Sequence, residues 1–185
     1  MHMTNNVSAE ISGKMRQFKR ILLSYADFKH AKLAASVILS DHLHDKYPQE
    51  SYVLLEALNC SMIMAYCRPF SGNDPSIPDL PARLLQSLND SEREIHDAVL
   101  YDRNKLLAHS DADALAIEPV IWNIADHAMV LPLARWGLAP LTEEATIIFH
   151  SAAEKLFIAT MEERRRLEPE MIPYLRIADP ENPFT

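Results

Sequence analysis

Residues 103–111 read RNKLLAHSD, which sets a guanidinium, a carboxamide and an imidazole within seven positions. Each type has a use in phosphodiester chemistry. An arginine such as Arg103 grips a phosphate through two parallel N–H groups, Asn104 can position a substrate, and His109 titrates near neutrality and so can carry a proton. Taken one at a time, the same residues have structural uses. Cationic side chains in a last helical turn complement the helix dipole, and Ser110 with Asp111 suits the start of a turn. A Ser-His-Asp relay is not supported, because adjacent side chains in one turn cannot line up in sequence.

Helical spacing restricts how these groups meet. Ile95, Val99 and Leu106 form one apolar row, and Leu100, Arg103 and Leu107 form the next, so Arg103 falls at the margin of the buried face. His109 lies six residues further on, about 240° round an ideal helix. Either the helix ends or bends near Ala108, or a second chain completes the site. His96, two turns before Arg103, shares its face and could line the same cleft, although a lone histidine there reads first as a surface residue.

Other candidates are weaker. His42 and His44, flanked by Asp41 and Asp45, invite a metal, but the i, i+2 spacing points the two rings apart and predicts solvent exposure. Neither a ligand cluster nor a motif asks for a metal or a cofactor. Three glycines leave no phosphate-cradling loop of either common kind. Cys60 and Cys67 lie roughly 10 Å apart along a helix axis, beyond disulfide reach, and read as core thiols of a reducing compartment. A net charge of −8 disfavours holding nucleic acid by bulk electrostatics. Local basic runs exist at Lys14, Arg16, Lys19 and Arg20 and at Arg164, Arg165 and Arg166. Trp122 and Trp136 are expected to cover the core, with base stacking as the alternative.

The elements that must position these residues are mainly helical. At 185 residues and 48% hydrophobic content, the chain suits a single domain with a core over about 10–167 and a proline-rich tail from 168 to 185. Apolar residues recur at helical steps over 9–44, predicting one or two helices. Pro48 suits a first helical position, and the next helix, carrying Met62, Met64 and Tyr66 in the core, must stop near Arg68 because Pro69 follows. Residues 71–81 read as loop and 82–88 as a short helical piece. Ser91 and Glu94 have capping-box spacing for a helix running to about Ala108. Residues 114–135 suit either a small hairpin or an irregular crossover, since two strand-like runs carry internal prolines. Thr142 with Glu143 and Glu144 starts a last helix ending near Leu167. The expectation is an all-α, up-and-down bundle of about four long helices with one insertion. No run suits a membrane span or a signal peptide, which points to a cytoplasmic protein.

The motif resembles that of the HEPN superfamily: an arginine, a polar residue often Asn, Asp or His, then a histidine a few residues later at the end of a bundle helix. Arg103-Asn104, Lys105 to Ala108 and His109 fit it, and the Ala-His-Ser-Asp ending looks like the abortive-infection and toxin-associated branches. Tyr101-Asp102 and the segment Cys67-Arg68-Pro69-Phe70 are similar more weakly. The resemblance implies a homodimer that brings two motifs to one cleft, and a metal-independent endoribonuclease acting through the RNA 2′-hydroxyl. It implies His109 as general acid or base, Arg103 as stabiliser of phosphorane charge and Asn104 as the orienting group. Supporting places fall to Ser110, Asp111, Tyr101, Asp102, His96 and Arg68, and an antitoxin or nucleotidyltransferase is the implied partner. The alternative is a non-catalytic module of the same type that binds a partner protein or a nucleotide; a purely structural dimer is a third reading.

Overall fold

The computed structural model describes residues 2–45, 49–71, 77–104, 117–124, 127–134 and 139–176. Among them are four long helices: α1 (His2–Ser40), α2 (Gln49–Cys67), α3 (Asp90–Asp102) and α4 (Glu143–Met171). Strands β1 (Ile117–Ile124) and β2 (His127–Ala134) form one antiparallel hairpin between α3 and α4. The all-α bundle with a small insertion is therefore what the chain forms.

Helix ends follow local chemistry. α1 is one helix of 39 residues, closed by a Schellman turn in which His42 takes φ 51° and the Leu43 N–H reaches the Ile38 carbonyl at 3.1 Å. α2 stops at Cys67, where Pro69 allows only the short 3₁₀ turn Arg68–Phe70. A second 3₁₀ turn covers Ala82–Ser87. The cap of α3 differs from the expected Ser91–Glu94 box. Asn89 accepts from the Glu92 N–H at 2.9 Å and donates its own N–H to the Glu92 carboxylate at 2.8 Å, so the box starts two residues earlier. The tertiary contacts decide this, because Glu92 is buried and also accepts from Ser151 and Lys155 of α4, both at 2.7 Å. Thr142 caps α4 as its type predicts. That helix runs past Leu167 to Met171 with Pro169 inside it. Buried Leu167 and Met171 hold the last turn against the bundle despite the hydrogen bond that the proline removes.

Cross-helix bonds give the directions. Lys14 meets Glu170, Lys32 meets Glu154 and Ser36 meets His150, so α1 and α4 are antiparallel. His30 meets Ser61 and Asp27 meets Arg68, so α1 and α2 are antiparallel as well. Phe28, Tyr66 and Phe149 join the three helices, with Tyr66 5.6 Å from Phe28 and 4.9 Å from Phe149 between ring centroids. All three are fully buried, and burying side chains of this size contributes about 1.5–3 kcal/mol each. Asn59, buried on α2, accepts from the Leu141 N–H at 3.1 Å and so ties the start of α4 to the core.

The hairpin answers how a strand pair tolerates internal prolines. The register sets Pro119 opposite Pro132. Two residues that lack an N–H can share only a non-hydrogen-bonded position, so no ladder bond is lost.

Candidate functional site

α3 delivers Arg103 and Asn104 at its C-terminal end. The Arg103 N–H is shared between the carbonyls of Leu100 and Val99, and the backbone then widens into a π-type turn at Arg103–Asn104. Such widenings collect at functional sites because they rotate side chains out of the regular rows. Arg103 Nη1 donates to Asn104 Oδ1 at 2.9 Å, which aligns the guanidinium and the carboxamide as one polar unit. Arg103 Nε is buried and finds no hydrogen-bond partner among the described residues. A buried donor left in this state costs about 1–3 kcal/mol.

The surroundings of Arg103 are mixed. Cys67, at the end of α2, donates to the Val99 carbonyl at 3.5 Å. Burial pushes its thiol up to about 12, against the pull of Arg103, which leaves it an inert core thiol. Burial also raises the Asp102 carboxyl above its ordinary value. Tyr101 is exposed. Cys60 is half-buried, and burial raises its thiol too.

Two expected supporting residues have partners away from Arg103, His96 in the core and Arg68 at the surface. His96 is not a surface residue: it is only 6% exposed, its Nδ1 lies 3.1 Å from Tyr66 Oη, and the rings of Phe70 and Tyr66 stand edge-on to it at 4.7 and 5.8 Å. The sequence pattern misplaced it because the α2–α3 crossing, which no local spacing reveals, turns this position inward. Burial lowers its proton affinity. Arg68 is directed to α1, where Nη1 donates to Asp27 Oδ1 at 2.9 Å. Burial raises the Asp27 carboxyl in spite of Arg68, Arg20 and His30 nearby. His109, Ser110 and Asp111 lie outside the described residues, as does Trp136. Trp122 is 47% exposed on the hairpin and does not cover the core.

The remaining candidates sort simply. His42 is exposed and His44 Nε2 lies 3.4 Å from Thr146 Oγ1; among the described residues no group of three or more His, Cys, Asp or Glu could hold a metal. Arg20 is buried and donates to the Pro78 carbonyl at 2.6 Å. Lys14 bonds Glu10 and Glu170, Arg164 bonds Glu168, and Arg83 and Arg166 both bond the buried Glu163. Arg16, Lys19 and Arg165 are exposed. Four of the seven cations in the two basic runs are thus paired with carboxylates or buried, and three are exposed.

Sequence reasoning missed two serine–histidine pairs, Ser61 with His30 at 2.8 Å and Ser36 with His150 at 3.0 Å. Each joins two different helices, so no short-range spacing signals it. Both serines sit inside helices, where neighbouring backbone N–H groups are already bonded along the helix and cannot stabilise an oxyanion. They read as seams between helices. A scan against protein-family models found no match, and searches of curated proteins and of solved structures found no relative.

Proposed function

We propose that this chain is a metal-independent endoribonuclease of the HEPN type, with Arg103, Asn104 and His109 as its working residues and a homodimer completing the cleft. The observation that carries the reading is Arg103: a guanidinium at the irregular end of a bundle helix, coupled to Asn104, with a buried Nε left unbonded among the described residues. Such a cost is expected where a group is kept for a ligand. In the proposed reaction His109 takes the proton of the 2′-hydroxyl, the 2′-oxygen bonds to phosphorus, and the bond from phosphorus to the 5′-oxygen breaks. The products are a 2′,3′-cyclic phosphate and a 5′-hydroxyl that receives a proton. Arg103 offsets the charge on the phosphorane, and Asn104 orients the guanidinium. An antitoxin or nucleotidyltransferase partner in toxin or phage-defence biology belongs to the same proposal.

The second reading, a non-catalytic module that binds a partner protein or nucleotide, is favoured by the charge. The chain carries −8, and most cations of its two basic runs are paired with carboxylates or buried. One experiment separates the two. Labelled RNA is incubated in EDTA with wild type, Arg103→Ala and His109→Ala. Cleavage to cyclic-phosphate ends by wild type, with a loss of about 10²-fold or more in each variant, supports the nuclease. Intact RNA with all three folded proteins sinks it in favour of the module.

A further inference from the structure

Three segments far apart in the chain meet at one end of the bundle. Lys14 of α1 bonds Glu170 of α4, Arg20 of α1 donates to the Pro78 carbonyl, and Arg83 of the 3₁₀ turn Ala82–Ser87 bonds Glu163 of α4. Residues 2–23, 77–88 and 160–176, which these bonds join, hold nine Lys or Arg against six Asp or Glu. The rest of the chain holds nine against twenty. An acidic protein thus gathers a positive surplus at this end, which attracts anions. α3 runs antiparallel to α4, from Glu92 beside Lys155 to Ala98, which lines one open slot with Ala145. Glu163 is eighteen residues beyond Ala145, about 27 Å along α4, so the basic end is opposite to the end that carries Arg103.

Within this surplus one buried carboxylate holds two guanidiniums. Glu163 is 6% exposed. Arg166 donates to both of its oxygens, from Nε to Oε2 at 3.0 Å and from Nη2 to Oε1 at 2.7 Å, and Arg83 Nη2 donates to the same Oε1. The Arg166 bond, with Arg83 and against burial, holds the Glu163 carboxyl below its ordinary value, so it stays charged. Two hydrogen bonds to one oxygen set the donor nitrogens of Arg83 and Arg166 within about 6 Å of each other. Their side chains nevertheless remain 48% and 57% exposed. Three of their ten N–H groups serve Glu163. A clasp between turn and helix needs a single cation, and the second leaves the trio with a net positive charge. On the following turns Glu168 and Glu170 are held by Arg164 and Lys14, and exposed Glu162 is offset by exposed Arg165.

We infer that Arg83 and Arg166 form an anion clamp for a doubly charged phosphate group, free or as a monoester, with Glu163 as the buried residue that positions both arms. Guanidiniums match the oxygens of a phosphate through paired N–H groups. Because Glu163 already fixes the two side chains, little of their freedom is lost on binding. Charge selects the ligand. A phosphate monoester carries about −1.5 to −2 at pH 7, whereas an internal phosphate of a nucleic acid carries a single charge. In the same positive field the monoester gains about twice as much as the diester. Glu163 does not compete for the arms, because both of its oxygens are engaged below them. The inference stands apart from the Arg103 site and does not depend on RNA cleavage.

The test titrates the full chain, above the second ionisation of phosphate and at constant ionic strength, with inorganic phosphate and with adenosine 5′-monophosphate. Dimethyl phosphate serves as the singly charged control, and binding is read from phosphorus NMR line broadening. Both dianions are expected to bind saturably with Kd of about 1 mM or below, and dimethyl phosphate about tenfold more weakly. Arg83→Gln and Arg166→Gln should each raise Kd about tenfold or more, while Arg16→Gln and Arg103→Gln leave it unchanged. Either clamp variant leaves Glu163 one arginine, so retained helical circular dichroism separates a lost ligand from a lost fold. Glu163→Gln makes the end more positive, so a diffuse field would bind phosphate more tightly, and the clamp binds it more weakly. Tighter binding of the nucleotide names a phosphorylated metabolite as the source and equal or tighter binding of inorganic phosphate names the free ion; both support the clamp. No saturation at about ten times the expected Kd overturns the inference. So does tighter binding by Glu163→Gln, an equal loss in Arg16→Gln, or a loss confined to Arg103→Gln, which would place the phosphate at the end of α3.

Discussion

Arg103 ends α3 with its guanidinium divided between a buried and a bonded nitrogen. Its Nε is buried and unbonded among the described residues while Nη1 is engaged by Asn104. Replacing the side chain with an apolar one of similar length removes a costly donor. Arg103→Met is therefore expected to leave the thermal midpoint unchanged or higher while eliminating the proposed RNA cleavage, as unfolding and cleavage assays on the same preparation would show. Arg103→Lys keeps the charge and loses the two-pronged donor, so it should recover little activity. His96 makes the opposite case, a polar group whose role is packing. Its proton affinity is lower in the folded chain than the ordinary value of 6.5, so the unfolded chain binds the proton more readily. Stability should then be complete above pH 6.5 and fall as pH drops from 6.5 toward the lower folded value. His96→Phe should flatten that slope in denaturant titrations between pH 7 and about 5.5. An unchanged slope would show that another group titrates there.

At the scale of elements, α3 depends on one carboxylate. Glu92 caps the helix through the Asn89 N–H and bonds Ser151 and Lys155 of α4. Burial pushes its proton affinity up, but the Lys155, Asn89 and Ser151 bonds outweigh burial and hold it below 4.5. Its stabilisation is therefore present above pH 4.5 and is lost as pH falls below that value. Asn89→Ala removes half of the cap and should cost about 1 kcal/mol by urea unfolding. Glu92→Ala removes the other half and both bonds to α4, and should cost more, about 2–3 kcal/mol. Equal losses in the two variants would mean that the α4 contacts contribute nothing. Because α3 also carries Arg103, either change should loosen the site before the other helices unfold. The Asn89-x-x-Glu92 spacing was visible in the chain beside Ser91-x-x-Glu94; only the partners on α4 select between them.

Over the whole molecule, charge and topology set the terms on which a polyanion can bind. The chain is acidic, and no helix among the described residues is long and apolar enough to cross a membrane. On the proposed dimeric reading, RNA held at two copies of Arg103 should show a shallow salt dependence. Two phosphate contacts to a single strand give a slope of about −1.4 in log K against log salt. Anisotropy titrations with His109→Ala protein would measure it, and a slope several times steeper would place binding on the exposed Arg16, Lys19 and Arg165 instead.

Local chemistry determined a good deal from the sequence by itself. Apolar periodicity marked the helical runs, Pro69 ended α2, Thr142 began α4, and strand-like runs interrupted by prolines left a hairpin open as one of two choices. Each of these depends on neighbours within a few residues, which the chain displays directly. The adjacent Arg103 and Asn104, which the structure joins by a hydrogen bond, were visible for the same reason. Tertiary structure alone decided what required distant partners. It buried His96 beneath Tyr66 and Phe70, turned Arg68 toward Asp27, spent Arg20 on the Pro78 carbonyl, and left Trp122 exposed. Burial and pairing arise where helices cross, and a crossing joins residues whose separation along the chain carries no periodic signal.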